Sequence, residues 1–177
     1  VEGGWGCDRT RHEAGAVTRA WLSLGSNVEP EENLRAALRE LRARFGNVIV
    51  SPVYRFPAVG FDGPDFLNLA AGIDTDLSAS VLNEWLHSLE DRHGRRRDVP
   101  RFSSRTLDVD IVLFGDQVSK GAGNLEIPRP ELKYAFVLKP LADIAPDVLH
   151  PVLGRTIGQL WREFPQEKDH SERVVDL

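Results

Sequence analysis

Two apolar stripes at helical spacing, Leu34-Leu38-Leu41-Phe45 and Leu82-Trp85-Leu86-Leu89, constrain this chain most, because each lies between runs that read as strands. "AWLSLGSN" precedes the first stripe and ends in a turn signal at Gly25-Ser26-Asn27. Pro30 suits the first turn of a helix, Glu31 and Glu32 suit its positive end, and Gly46 stops it. "NVIVSPVYRF" reads as a second strand, irregular at Pro52, and "FLNLAAGIDT" as a third, with the loop "PAVGFDGPD" between them. Ser78 is placed to cap the second helix, Leu77 and Leu82 to staple it, and Gly94 to end it. A fourth strand follows at "LDVDIVLF". The order β-α-β-β-α-β predicts an α+β fold of the split βαβ type, an antiparallel sheet covered by two helices on one face. "QVSKGAGNLEI" suggests a small extra hairpin, "YAFVLKPLADIA" a helix bent or interrupted at Pro140, and "TIGQLWREF" a short last helix. Residues 1–17 read as a flexible polar extension, 18–165 as a single domain and 166–177 as a charged tail.

The fourth strand carries a cost that needs a reason. Leu107, Val109, Ile111 and Leu113 alternate with Asp108, Asp110, Val112 and Phe114, so the two acids share a face and repel. Taken alone, such a pair reads as two solvated acids on an exposed sheet face. The preceding "RHGRRRDVPRFSSR" changes that reading, because it sets six arginines against the one acid Asp98. Paired carboxylates hold hard cations such as Mg²⁺, which complete their shells with substrate phosphates, and arginines hold the remaining phosphate charge.

Composition narrows the alternatives. A net charge of -5 argues against a general nucleic-acid binder. No apolar run is long enough to span a membrane, and the first residues lack the apolar core of a secretory signal, so a cytoplasmic location is expected. The single Cys7 forms no internal disulfide. The five histidines do not cluster at metal-ligand spacing, and His87 and His93 read as surface residues. No Walker-type phosphate loop, G-x-S-x-G or H-E-x-x-H motif is present.

Four ordered blocks between about Ala20 and about Pro151 carry a resemblance. "LSLGSN" with "ENLRAAL", "SPVYRFPAVGFDGPDFLN", "LEDRHGRRRDVPRFSSRTLDVDIVLFGD" and "LEIPRPELKYAFVLKPLADIAP" together resemble the 6-hydroxymethyl-7,8-dihydropterin pyrophosphokinases of folate biosynthesis. The resemblance implies a ferredoxin-like core and transfer of diphosphate from ATP to the pterin hydroxymethyl group, with release of AMP. It implies two Mg²⁺ ions on Asp108 and Asp110, and Arg97 and Arg101 as catalytic residues on a loop that closes over the reactants. By motif position the ATP ligands are Glu90, Arg95, Arg97, Arg101, Phe102, Arg105, Ile111 and Arg129. The pterin side takes Phe66 and Phe136 as stacking rings, Asn68 as hydrogen-bonding partner, main chain near Pro57 and Val59, and Asp108.

Departures cluster on the nucleotide side. Arg129 stands where the family usually has histidine, the 128–136 segment is one residue short, and Ser103 replaces a smaller residue. Phe56 stands where threonine is common. ATP and the pterin are the expected partners, with no nucleic acid or membrane, and a monomer is the expected assembly with a dimer open. A divergent paralogue that binds pterin or nucleotide with little turnover is the alternative. An RNA-binding module of the same core would display basic and aromatic residues where this strand displays acids.

Overall fold

The structure, a computed structural model, describes residues 16–94, 104, 106–121, 125–174 and 177. β1 (Thr18–Ser26) leads through α1 (Pro30–Phe45) to the short strands β2 (Ile49–Val50) and β3 (Val53–Phe56), then β4 (Phe66–Thr75). α2 (Ala79–Arg92) crosses to β5 (Asp108–Phe114). The strands lie in the order β5-β1-β4-β3, every neighbouring pair antiparallel, with β2 also on β4. Both crossovers skip one strand, which is the ferredoxin-like arrangement.

Local signals act as read. Ser78 Oγ accepts the Val81 N–H at the start of α2, and Gly46 and Gly94 take positive φ just past the ends of α1 and α2. At Pro52 the second strand splits into β2 and β3. Ser51 Oγ accepts the Ala70 N–H at 2.8 Å, supplying a bond to the ladder at the break. His93, read as a surface residue, is half-buried: its Nε2 lies 2.6 Å from Glu40 Oε2 and joins α2 to α1.

One face of the sheet packs Leu22, Leu24, Leu69, Ile73, Val109 and Ile111 against Leu34, Leu38 and Leu41 of α1 and Leu82, Leu86 and Leu89 of α2. The other face is covered too, over part of its length. After the hairpin β6 (Ser119–Lys120) and β7 (Glu126–Ile127), a 3-10 turn (Pro130–Lys133) leads into α3 (Ala135–Ile144). Val137, Leu138 and Leu141 of α3 pack on Trp21, Ala70, Val112 and Leu113, joined by Ile157 of α4 (Ile157–Glu163). α3 runs through Pro140 without a break, so of the bend or interruption that the sequence suggests, the interruption does not occur. The residue is buried against the sheet, where packing offsets the missing N–H.

The strict alternation read in β5 ends at Ile111. Trp21 pairs with Leu113 but Leu22 with Ile111, so Val112 is an extra residue. This bulge moves Leu113 to the α3 side with Val112 and returns Phe114 to the α1–α2 core. The acids precede the bulge and keep the shared face that the sequence assigns them.

The charged tail adds structure that composition did not suggest. β8 (Glu172–Val174) pairs with β3 and extends the sheet. Lys139 of α3 anchors the approach to it, donating to Asp169 Oδ2 at 2.7 Å and Ser171 Oγ at 2.6 Å, with its ammonium 4.7 Å from the Tyr54 ring centre. Burial alone would raise the Asp169 carboxyl, but the Lys139 and Ser171 donors outweigh it and hold it below its ordinary range. Lys139→Met is expected to cost about 1.5–3 kcal/mol in urea unfolding, because Asp169 then stays part-buried without its cation. A loss under about 0.5 kcal/mol would show that the tail is held by strand pairing alone.

The turn after α3 carries a pH dependence. Burial lowers the His150 imidazole below its ordinary range, and its Nδ1 accepts the N–H groups of Val152 and Leu153 at 3.2 and 3.1 Å. That role needs the neutral ring. The folded value lies below the unfolded one of about 6.5, so the contribution is present above it and fades as pH falls. The thermal midpoint should drop more steeply below about pH 6.5 than in His150→Asn, whose oxygen can accept the same N–H groups without titrating. Parallel profiles would refute this. Among the described residues no helix is long and apolar enough to cross a membrane.

Candidate active site

The polar end of the α3-side face is a single row across the sheet. Asp108 pairs with Gly25, Gly25 with Asn68, and Asn68 with Tyr54. One residue pair along, Asp110 lies opposite Ser23. Side chains in such a row point the same way, so Asp108 and Asn68 sit about 10 Å apart, two strand spacings. Both acids are half-buried.

Two neighbours hold the acid pair and its strand. Glu90 of α2 is buried, and its Oε2 accepts the Val109 N–H at 3.2 Å from β5, the edge strand. Arg129 donates its backbone N–H to the Val112 carbonyl at 2.9 Å, which fixes it beside the bulge. Its Nη2 reaches to 3.3 Å from Asp110 Oδ1, and its Nε lies 3.2 Å from Glu131 Oε2. The residue assigned to ATP by resemblance is thus also an ion partner of Asp110. The Ile111 side chain points into the α1–α2 core, away from the acids, so a nucleotide on their face meets it only through main chain.

On the other side of the row, Asn68 is buried and its Oδ1 has no hydrogen-bond partner among the described residues. An orphaned buried acceptor is rare and calls for a donor, from a bound molecule or an ordered water. Gly25 makes room for this amide, since a Cβ there would lie 2.6 Å from Asn68 Nδ2. Phe66 is half-buried and meets Phe61 edge-on, with centroids 6.3 Å apart. Phe136 stacks on Tyr134 at 5.4 Å, within 10° of parallel, and meets Phe56 edge-on at 6.4 Å. Phe56, which the sequence marks only as a departure, is buried and supports that ring. Pro57 and Val59 are exposed at the start of the loop before β4.

Two contributors were missed. Tyr134 carries no motif signal beyond its spacing from Phe136. Asn27, read as part of a turn, donates from Nδ2 to the Pro64 carbonyl at 3.1 Å and Ser104 Oγ at 3.3 Å. It ties the loop before β4 to the segment entering β5. Arg95, Arg97, Arg101, Phe102, Arg105 and Ser103 lie outside the described residues.

Among the described residues no cluster of three or more His, Cys, Asp or Glu side chains could cage a metal. Two carboxylates on one face fit instead an ion such as Mg²⁺ that arrives with waters and phosphate oxygens. Sheet order and site together define a ferredoxin-like α+β domain with an acid pair and an orphaned amide on one sheet face. A family model described as 7,8-dihydro-6-hydroxymethylpterin-pyrophosphokinase (HPPK) matches residues 21–146, and the chain belongs to that family.

Named relatives agree. A 2-amino-4-hydroxy-6-hydroxymethyldihydropteridine pyrophosphokinase of Pseudomonas aeruginosa is 40% identical over 161 residues, covering 85% of this chain and 94% of the relative. One of Methylorubrum extorquens is 40% identical over 166 residues, covering 89% and 99%. Among solved structures, wild-type Plasmodium falciparum HPPK-DHPS with pteroate superposes with a TM-score of 0.72 at 14% identity. That match covers 92% of this chain but only 48% of the longer one, and it speaks to the fold alone.

Proposed function

We propose that this protein transfers diphosphate from ATP to the hydroxymethyl oxygen of 6-hydroxymethyl-7,8-dihydropterin. The new bond joins that oxygen to the β-phosphorus, the bond between the β-phosphorus and its bridge to the α-phosphate breaks, and the hydroxyl proton is released with AMP. The observation that carries the reading is the row Asp108–Gly25–Asn68, which sets an acid pair and an unsatisfied amide oxygen on one face. Asn68 presents its free acceptor to the N–H edge of the pterin, with Phe66 and Phe136 as flanking rings. Asp108 and Asp110 are the residues to hold Mg²⁺, two ions by family resemblance, and bound Mg²⁺ offsets the phosphate charge. Glu90 holds the Val109 N–H between the two acids, so their strand keeps its place as charge changes beside it. Arg97 and Arg101 are assigned to the transferring phosphates by resemblance.

The test is AMP formation from MgATP with and without the pterin alcohol. AMP should appear in proportion to diphosphorylated pterin and only when both substrates are present. No AMP with both, or equal AMP without the pterin, would overturn the assignment.

A further inference from the structure

Arg129 is placed where its charge opposes the metal that Asp110 is proposed to hold. The two side chains are 21% and 26% exposed and 3.3 Å apart, so solvent screens their attraction only in part. The position is built: the Val112 carbonyl holds the Arg129 backbone, and Pro130 begins the turn directly after it. Glu131 takes the other side of the guanidinium at 3.2 Å. That contact is an ion pair without hydrogen-bond geometry, since the buried Arg129 Nε–H meets no acceptor among the described residues. The guanidinium therefore has charge contacts on two sides and a donor still unsatisfied, which is the demand a phosphate oxygen meets.

We infer that Arg129 is a resident counter-ion of Asp110 that disfavours free divalent cation and yields the carboxylate when nucleotide phosphates take the guanidinium. The inference rests on the proposed pyrophosphokinase reading and deepens it. A dication entering alone meets a carboxylate already neutralised and a fixed positive charge beside it. A dication entering on a triphosphate brings acceptors that draw the guanidinium off, including a partner for Nε–H. Metal and nucleotide then bind as a unit, each raising the affinity of the other by the same factor. Histidine, neutral at ordinary pH, would impose this coupling more weakly.

The test is Mn²⁺ binding, read by the electron paramagnetic resonance signal of free Mn²⁺, with and without α,β-methylene ATP, which cannot be cleaved at the transferred bond. Arg129→Gln is expected to bind Mn²⁺ alone about tenfold more tightly than the wild type and the analogue about tenfold more weakly. The factor by which analogue tightens Mn²⁺ binding should fall accordingly. Arg129→Met, which keeps the apolar stem, is the second neutral variant and carries the same expectation should Arg129→Gln not fold. Arg129→Lys keeps the charge and should leave the affinity for free Mn²⁺ within about threefold of wild type. Unchanged or weaker Mn²⁺ binding in the neutral variants overturns the counter-ion role, as does Lys behaving like Gln. If the wild type binds no Mn²⁺ even with the analogue, the metal assignment to Asp108 and Asp110 fails instead, a result the other arms cannot produce.

Discussion

Asp110→Ala is expected to lower kcat for AMP formation by about a thousandfold or more while leaving the thermal midpoint within a few degrees of wild type. The activity loss follows from the proposed role, because no third carboxylate among the described residues can replace it. The fold should survive because Asp110 contributes little to packing. It is half-buried on the polar end of the sheet, its strand is held by β1 and by the Glu90–Val109 bond, and Arg129 keeps Glu131 as an ion partner. Relief of repulsion from Asp108 further offsets the lost ion pair. Steady-state AMP release and thermal unfolding of the same preparation separate the two effects. Activity within tenfold of wild type would sink the metal-ligand assignment, and a collapsed midpoint would show Asp110 to be structural.

Gly25→Ala is expected to weaken pterin binding by about 10- to 100-fold, the range of one or two lost hydrogen bonds, with MgATP affinity little changed. The added Cβ would lie 2.6 Å from Asn68 Nδ2, closer than van der Waals contact permits, so the amide must swing away from its place in the row. The strand itself accepts alanine, since Gly25 has no positive φ to protect. The effect should run through Asn68: in an Asn68→Ala background the same change should cost little, because the amide it displaces is gone. Pterin titration of the two single variants and the double variant measures this. Additive losses would mean that Gly25 acts by another route and that Asn68 is not the pterin anchor.

Much of this molecule is legible from local sequence. Each helix carries its own apolar stripe and its own stop, so α1 and α2 follow from residues within a few turns of one another. The same holds for the shared face of Asp108 and Asp110, because alternation along a strand needs no knowledge of its neighbours. Where alternation fails, at Val112, the cause lies across the sheet in the pairing of β5 with β1, and no window on β5 alone displays it. β8 is three residues in a charged tail, and only the open edge of β3 makes a strand of them. Pro140 is a similar case, since a local rule allows a bend or a break and burial against the sheet keeps the helix continuous.

The sequence by itself determined the βαββαβ order of the core, the acid pair and the residues that identify the family, because those depend on spacing within single segments. Tertiary structure alone decided which distant residues meet. Gly25 lies under Asn68 because β1 and β4 pair antiparallel in one register, and a slip of one residue would turn Asn68 to the opposite face. Arg129 meets Asp110 because its backbone bonds to the bulged residue of the edge strand. Charge and hydrogen-bonding demand act through space over a few ångströms, and residues far apart in the chain come that close only when the sheet is assembled.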